Sequence, residues 1–293
     1  MLNAAEPIVV SYGMGVDSTA ILVGLRQRGI RPDAVLFADV GSEQEHTYAY
    51  LPVINEWLES VGFPKVTVVR YVPKKFKYEP YHTLCGNCLA NRMLPSLAYG
   101  RKGCSLKWKA APLDRQVEGL EVCRKAWKEG RRIQRLIGYD CSAADTRRFT
   151  KAKDRPDNPR YEYVYPLREW GLDRDACKAL IASAGLPVPP KSSCFFCPSM
   201  KKEEVRLLSK EDMRAVVAME HVAGQGSDTY YDRKTKAWKP RTVKGLWRSK
   251  SMTDFIVAEG LMAPEEIQAV RQASDRDRMS FARNVTLETQ EVT

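Results

Sequence analysis

The sequence lacks the features of membrane-spanning and secreted proteins. No run of about 18 apolar residues occurs in its 293 residues, so we expect no transmembrane helix. The first ten residues contain no basic segment followed by a separate apolar one, and they predict the approach to a first strand rather than a signal peptide. We therefore expect a cytoplasmic protein without a membrane partner.

An internal repeat and a disulfide framework are also missing. With 44% hydrophobic residues, the chain has the composition of a globular protein with one large domain or a domain with an appendage. Eight cysteines in a cytoplasmic chain of this length are not expected to form disulfides. Four of them form two C-x-x-C pairs, Cys85 with Cys88 and Cys194 with Cys197, a spacing that favours metal or redox chemistry.

Acidic residues are outnumbered by basic ones, 36 against 47, which gives a formal net charge of +11. Lysine and arginine gain affinity for polyanions by releasing phosphate counterions, so this balance favours a nucleic acid as partner. The alternative is a basic enzyme whose substrates are nucleotides.

Strand and helix patterns alternate along the first half of the chain. The apolar spacing predicts strands over 7–10, 34–40, 66–72 and 133–138 and helices over 20–27, 43–61 (despite Pro52), 112–129 and 173–184. Residues 151–161 predict a polar loop, and helices are expected over 203–208, 211–222 and 264–273. This order is typical of an α/β fold, a parallel sheet with helices on both faces. Residues 73–108 interrupt it as a cysteine-bearing insertion, and a mostly helical C-terminal part follows.

A change of composition near residue 224 suggests a domain boundary. We expect a nucleotide-binding and cysteine-cluster domain over 1–223 and a basic extension over 224–293. Residues 230–250 hold eight lysines or arginines with Tyr230, Tyr231, Trp238 and Trp247 between them. Cations and aromatics together are typical of a surface that follows phosphates and stacks bases. The alternative is a solvated segment whose tryptophans pack on the core.

The segment SYGMGVDST connects the first predicted strand to the first predicted helix. Glycines let backbone N–H groups approach a phosphate, and the helix N-terminus adds partial positive charge. The loop lacks the Lys-Ser/Thr ending of a Walker A motif and has too few glycines for a dinucleotide fingerprint. The candidate nucleotide-binding residues are Ser11, Gly13, Gly15, Asp17, Ser18 and Thr19.

This loop resembles the S-G-G-x-D-S motif of the PP-loop ATP pyrophosphatases, with Tyr12 and Met14 as departures around the glycines. In that family the loop holds the β- and γ-phosphates, and ATP is cleaved to AMP and pyrophosphate. The segment LFADVGSEQEHTYAYL is similar to the F-x-D-T-G-x-x-x-x-E-T segment of the phosphoadenosine phosphosulfate reductase branch. Asp39, Gly41 and Glu45 carry that match, and the resemblance implies that Asp39 and Gly41 lie beside the nucleotide.

Three further segments agree with this branch in the same order. They are GCSLKWKAAPLDR, LIGYDCSAADTRRF, with Asp145 and Arg147 at its acidic and basic positions, and PLREWGLDRDAC. The resemblance therefore covers residues 7 to about 200 and implies an adenine nucleotide alpha hydrolase-like, Rossmann-like fold.

The cysteines depart from the branch at one position. Its cluster-bearing members have a Cys-Cys pair upstream and a C-x-x-C pair downstream, whereas here Cys104 is followed by Ser105. Cys104, Cys194 and Cys197 could hold a 4Fe–4S cluster with one open iron, or Cys85 or Cys88 could supply a fourth ligand. Zinc bound by thiolates and redox-active free thiols are the alternatives. We expect Cys123, Cys141 and Cys177 to be packing residues.

No cysteine follows Cys197, although sulfonucleotide reductases of this family use one near the C-terminus. The resemblance therefore favours ATP-dependent sulfur insertion into a nucleic acid, most similar to DNA phosphorothioation and next to tRNA thiolation. Mg²⁺ is expected with ATP, and a cysteine desulfurase or another donor is expected to supply sulfur. Asp17, Lys107 and Arg147 are the candidate catalytic residues, and Lys109 is a further cation for the phosphates. A sulfonucleotide reductase and a nucleotide-binding module without turnover are the alternatives.

Overall fold

The computed structural model describes residues 2–154, 156–225, 229–232, 235–240 and 243–282. Packing divides the chain into two compact units that alternate along the sequence. Unit 1 comprises residues 1–38, 44–69 and 110–192, and unit 2 comprises 39–43, 70–109 and 193–293. The predicted boundary at residue 224 falls inside unit 2. Within the described ranges, no helix has the length and apolar character needed to span a bilayer.

Five parallel strands form the central sheet, in the order β3-β2-β1-β4-β5. The strands are β1 Ile8–Ser11, β2 Ala34–Asp39, β3 Val66–Arg70, β4 Ile133–Leu136 and β5 Tyr161–Val164. The order reverses between β1 and β4, and in open α/β sheets ligands bind at such a point, outside the carboxyl ends of the strands.

Helices cover both faces of this sheet, as the sequence predicts. Alternate strand residues belong to two apolar clusters, since Ile8 and Val10 join one cluster and Val9 joins the other. The first cluster packs against α1 Val16–Gln27, α2 Glu45–Ser60 and α9 Arg174–Ser183, and the second packs against α5 Ala111–Gly119 and α6 Glu121–Lys128. Two further helices, α7 Ala143–Lys153 and α8 Pro166–Glu169, complete this unit.

Unit 2 is built from short helices around one long one. The long helix, α11 Lys210–Gly224, contacts α3 Leu84–Ala90, α12 Met252–Ala258 and α13 Pro264–Arg276. The remaining elements are the 3₁₀ turns Ser96–Tyr99 and Arg278–Phe281, α4 Gly103–Ser105, the wide π-turn Leu106–Ala110, α10 Lys202–Val205 and the hairpin of β6 Thr229–Asp232 with β7 Ala237–Pro240.

Several predicted elements need correction. The helix expected over 112–129 is two helices, because Leu120 is extended (φ −71°, ψ 128°) and breaks the run. The polar loop expected over 151–161 begins later, since α7 continues to Lys153, and Tyr161 already starts β5. The insertion 73–108 contains α3, and the helix expected over 203–208 is only the single turn α10. The helix over 43–61 is confirmed, with Pro52 inside α2.

Candidate functional site

The predicted nucleotide loop lies in unit 1, between β1 and α1, at the carboxyl edge of the sheet. The two residues that depart from the PP-loop pattern point into the core, since Tyr12 and Met14 are 2% and 1% exposed. Met14 has a left-handed backbone with φ 60°, which turns its side chain inward. Burial of Tyr12 raises its pKa well above the ordinary value, so the phenol stays neutral and its hydroxyl contacts Thr19 Oγ1 at 3.1 Å. These bulky residues therefore do not fill the space in front of the glycines.

Hydroxyl groups hold the loop in shape. Ser18 Oγ accepts from Gly13 N and donates to the carbonyl of Gly15, both at 3.1 Å. Thr19 Oγ1 donates to the same carbonyl at 3.0 Å. From the other side, Ser192 Oγ donates to Gly13 O at 2.5 Å. A Cβ at Gly15 would lie 3.2 Å from Ser192 Oγ. Gly15 therefore allows an approach that a larger residue would crowd.

The start of α1 is open to an anion. Its N-cap is Gly15, and no side chain caps the first turn. The first N–H groups of a helix have no partner within the helix, and together with the helix dipole they favour a bound phosphate. The geometry of this segment therefore fits phosphate binding by Ser11–Thr19.

Three carboxylates lie together beside this helix start, and one guanidinium contacts two of them. Ligand oxygens of Asp17, Asp140 and Asp145 lie within 4.8 Å of one another, which is the one such group of three or more metal-ligand side chains among the described residues. Arg174 contacts Asp17 Oδ1 at 2.9 Å and Asp140 Oδ2 at 3.2 Å. Asp140 is completely buried and also accepts from Ser142 N at 2.9 Å.

The strand order explains why these residues meet. Asp140 follows β4, the neighbour of β1, and a Cβ at Gly138 would lie 3.0 Å from Asp17 Cβ. Arg174 is the first residue of α9, directly after the N-cap Asp173, whose side chain accepts from Asp175 N and Ala176 N. Asp140 follows a predicted strand and could have been found from that position. Nothing in the sequence marks Arg174 or Ser192, because their roles depend on distant contacts.

The electrostatic environment of Asp17 is unusual for an aspartate. Burial raises the pKa of Asp17 to about 6, with Asp140 and Asp145 adding to the shift, although Arg174 opposes it. Ionising this carboxylate therefore costs more than in water, and a cation near it is favoured. Hard divalent cations prefer oxygen ligands, so Asp17 and Asp140 fit Mg²⁺, which would compete with Arg174 for them.

The other two candidate catalytic residues lie outside this cluster. Arg147 is exposed on α7, and its neighbour Arg148 is the residue that pairs with Asp145, at 3.0 Å. In unit 2, Lys107 lies in the π-turn with its Nζ 4.9 Å from the centre of the Tyr71 ring. Their catalytic roles stay predictions.

Residues 39–43, which follow β2, belong to unit 2 and organise it. Asp39 is buried and accepts from Arg70 Nη2 at 2.6 Å and from Gly41 N at 2.7 Å. Gly41 has φ 66°, and a Cβ there would lie 2.6 Å from Thr83 Cγ2. The structure thus gives Asp39 and Gly41 clear structural roles, and their predicted contact with a nucleotide stays a prediction.

Ser42 connects both C-x-x-C segments. Its buried Oγ accepts from Cys85 N at 3.1 Å, and its carbonyl accepts from Phe195 N at 3.2 Å. The backbone of the adjacent Glu43 forms an isolated antiparallel β-bridge with that of Cys194. One short segment therefore fixes the backbone of two cysteine pairs that are more than a hundred residues apart. Nothing in the sequence distinguishes Ser42 from other serines.

Five cysteines share the apolar core of unit 2. Cys85, Cys88 and Cys194 are buried in it, and Cys104 and Cys197 pack against it. Burial raises the pKa of Cys88, with contributions from Cys85 and Cys104, and burial likewise raises the pKa of Cys194, with contributions from Glu43, Cys197 and Cys104. Cys104 is thus an electrostatic neighbour of both pairs.

The spacing of these thiols bears on the kind of metal that they fit. No three of the five sulfur atoms lie within 4.8 Å of one another, all five being described residues. Four thiolates on a single zinc ion at about 2.3 Å would stand closer together than that. Ligands of a polynuclear cluster bind different metal ions and stand further apart, and the choice between a cluster and zinc stays a prediction.

A partly exposed cation lies beside the thiols. Lys109 Nζ donates to Glu43 Oε1 at 2.7 Å. Although burial works against it, Glu43 and the thiols of Cys194 and Cys197 raise the pKa of Lys109. A permanent positive charge here favours anionic sulfur in its surroundings.

The three remaining cysteines have separate places in unit 1. Cys123 and Cys177 are buried in its two apolar clusters, and Cys141 Sγ lies 3.9 Å from the carbonyl of Leu167. Burial raises the pKa of Cys123 to about 11 and that of Cys177 to about 12. These surroundings agree with packing roles.

The basic segment divides between the two predicted possibilities. Trp247 packs against Phe255 and donates its Nε1 hydrogen to Met200 O at 2.9 Å, so it belongs to the core. Trp238 on β7 is 68% exposed. The side chains of Tyr230 and Tyr231 lie outside the described part of the structure.

A scan against protein-family models and a search of curated proteins each find no match for this chain. Its function must therefore be argued from the loop, the acidic cluster and the cysteines themselves.

Proposed function

We propose that this protein is an ATP-dependent sulfurtransferase that forms AMP and pyrophosphate and passes sulfur to a nucleic acid. The observation that carries the proposal is the glycine- and hydroxyl-rich loop Ser11–Thr19, which opens α1 at the carboxyl end of β1 with Asp17 and Arg174 beside it. A parallel sheet in the order 3-2-1-4-5 supports the finer proposal of an adenine nucleotide alpha hydrolase-like fold.

The chemistry proceeds in two displacements. An oxygen of the acceptor attacks the α-phosphorus of ATP, the bond to the β-phosphate oxygen breaks, and pyrophosphate leaves with the electron pair. The acceptor then carries AMP on its oxygen, which makes that oxygen a good leaving group. Sulfur at the oxidation level of hydrosulfide displaces AMP, so the acceptor exchanges oxygen for sulfur and no net electrons are consumed. A cysteine desulfurase with a reductant is a source of sulfur at this level.

The residues of unit 1 bind and orient the nucleotide in this scheme. Backbone N–H groups at the start of α1, with the hydroxyls of Ser18 and Thr19, hold the departing phosphates. Asp17 and Asp140 would hold the Mg²⁺ that accompanies ATP, and that ion would supply charge neutralisation on the phosphates. Arg174 keeps both carboxylates in place. Lys107 and Arg147 stay candidates for neutralising phosphate charge.

The residues of unit 2 handle sulfur. We propose Cys88, Cys104, Cys194 and Cys197 as the ligand candidates, because Cys104 neighbours both pairs whereas Cys85 Sγ is directed to the carbonyl of Phe281 at 3.8 Å. Three or four of these thiolates would hold a 4Fe–4S cluster, which would supply the sulfur chemistry at this site. Lys109, beside Cys194, stabilises negative charge on sulfur there.

Product analysis tests the ATP part. We expect AMP and pyrophosphate in equal amounts when ATP, Mg²⁺, a sulfide source and a nucleic acid are present. Asp17→Ala should abolish both products, whereas Asp175→Ala, on the exposed side of α9, should leave them unchanged. ADP and phosphate as products, or full activity of Asp17→Ala, would contradict the proposal.

Metal analysis tests the sulfur part. Protein purified without oxygen should contain iron and acid-labile sulfide, and Cys104→Ser and Cys194→Ser should lose both. Cys123→Ser, a buried cysteine of unit 1, is the matched control and should retain them. Zinc in place of iron would overturn the cluster assignment, and thioredoxin-dependent reduction of a sulfonucleotide would favour the reductase alternative.

A further inference from the structure

Unit 2 contains a cavity of about 780 Å³, and its lining includes none of the residues assigned a role above. Three segments line it. They are the residues just after α3, with Arg92 and Met93, the end of the 3₁₀ turn and the residues after it, with Tyr99 and Arg101, and the loop before α12, with Arg248. Its volume falls in the range of pockets that bind small molecules or single nucleotide units, about 300–1,000 Å³.

The cavity carries a charge of one sign. Its lining includes three arginines and no aspartate or glutamate. Within the described ranges, none of Arg92, Arg101 and Arg248 forms an ion pair, although Arg92 contributes to lowering the pKa of Asp275, which is bonded to His221 and Gln225. Guanidinium groups match the geometry of phosphate oxygens, and three of them without a carboxylate favour a phosphate-bearing ligand.

Two of these arginines have a left-handed backbone, at φ 48° for Arg92 and φ 66° for Arg248. Just four non-glycine residues of the described ranges do so, and one of the other two, Met14, lies in the nucleotide loop. A glycine would relieve this strain. Arg92 follows Asn91, the C-cap of α3, and glycine is the common choice at that position. Strain of this kind clusters at functional sites, so the arginine side chains themselves have a role.

The wall that carries Arg248 is held rigidly. Buried Glu220 accepts from the backbone N–H groups of Leu246, Met252 and Thr253 at 2.7 to 2.9 Å, which fixes the loop on both sides of Arg248. Gly245 closes the turn, since Arg248 N donates to its carbonyl at 3.0 Å, and a Cβ at Gly245 would lie 2.5 Å from Glu220 Oε1. A preformed site loses less freedom when a ligand binds.

We propose that this cavity binds the phosphodiester backbone of the acceptor nucleic acid, with one nucleotide unit seated between Tyr99 and the three arginines. The arginines are exposed at the rim, and the loop continues into Lys250, so a strand can extend beyond the cavity. This inference rests on the proposed function for the identity of the ligand, but not on the ATP chemistry.

Two glycine substitutions test it without weakening the fold. Arg92→Gly and Arg248→Gly remove a guanidinium and also relieve a left-handed backbone, so thermal stability should be retained. The matched control is Arg214→Ala, which removes an exposed guanidinium of α11 that lies outside the cavity lining and outside the basic segment 230–250. Binding of a short fluorescently labelled DNA oligonucleotide is measured by anisotropy over a series of salt concentrations.

We expect each arginine variant to bind at least ~10-fold more weakly, with a salt slope lower by about 1, and the control to bind like the parent protein. Equal weakening in Arg214→Ala, or no weakening in Arg92→Gly and Arg248→Gly, would overturn the assignment. Displacement of the oligonucleotide by AMP or pyrophosphate at similar concentrations would assign the cavity to a free nucleotide or phosphate instead. Intact arginine-dependent DNA binding without AMP formation would contradict the proposed function and leave this inference standing.

Discussion

The two units of the chain are stabilised by different kinds of contact. Unit 1 is a parallel sheet whose two faces pack apolar side chains against helices. Unit 2 also has an apolar core around α11, but buried polar groups connect its segments: Ser42 between the two cysteine pairs, Glu43 with Lys109, and Glu220 under the loop before α12. Apolar spacing therefore predicts the elements of unit 1 and the helices α11 and α13, whereas the contacts between the remaining segments of unit 2 depend on single polar residues.

The largest expected effect is at Glu220 in unit 2. Glu220→Ala leaves three backbone N–H groups and the hydroxyls of Ser251 and Thr253 without their acceptor. We expect the free energy of unfolding to fall by about 3–5 kcal/mol in urea titrations. Glu211→Ala, exposed on the same helix, should change it by less than about 1 kcal/mol. Similar values for the two variants would show that the buried carboxylate of Glu220 stabilises unit 2 no more than an exposed one does.

The corresponding change in unit 1 concerns packing. Ile54 on α2 is completely buried in the cluster on one face of the sheet. Ile54→Ala should reduce the free energy of unfolding by about 2–5 kcal/mol, and Ile54→Val by about 0.5–1.5 kcal/mol, because the loss follows the volume removed. An Ile54→Ala loss no larger than that of Ile54→Val would show that this face is not tightly packed.

A pair of glycines sharpens the comparison. Gly41 and Gly62 have φ of 66° and 74°, but a Cβ at Gly62 would meet nothing within 4 Å, whereas one at Gly41 would meet Thr83. We expect Gly62→Ala to cost about 1–2 kcal/mol and Gly41→Ala about 2–4 kcal/mol in thermal or urea unfolding. Thr83→Ser removes the nearest methyl group and keeps the hydroxyl that caps α3, so it should recover part of the Gly41→Ala loss. Absence of any recovery would mean that the contact with Thr83 is not the cause.

The smallest expected effect is at Asp17, one of the polar residues of unit 1. Its folded pKa of about 6 lies above the ordinary 3.8, so the folded state binds more protons between these values and its advantage from this group falls as pH rises through them. Asp17→Asn should therefore gain stability relative to the parent protein from about pH 4 to pH 6, by about 1–2 kcal/mol after allowance for partial exposure. A stability difference that does not vary with pH would contradict the raised pKa. Asp175→Asn serves as the exposed control.

The sequence predicts unit 1 well because its strands and helices have regular apolar spacing. The strand Tyr161–Val164 was missed because it is short and follows a stretch rich in proline and charge. In unit 2, Leu84–Ala90 is too short for its period to be distinguished. The loop Ser11–Thr19 could be located from its own residues and Asp140 from its place after a predicted strand. Arg174 and Ser42 could not be assigned, since their roles arise from contacts between residues far apart in sequence.

The central claim is that an oxygen of the acceptor, and not water, attacks ATP. The most direct test is to run the reaction with nucleic acid and a sulfide source in water enriched in the heavy oxygen isotope, and to weigh the AMP by mass spectrometry. The account predicts AMP without the heavy isotope, because its new oxygen comes from the acceptor. AMP that carries heavy oxygen from water would show simple hydrolysis and contradict the account.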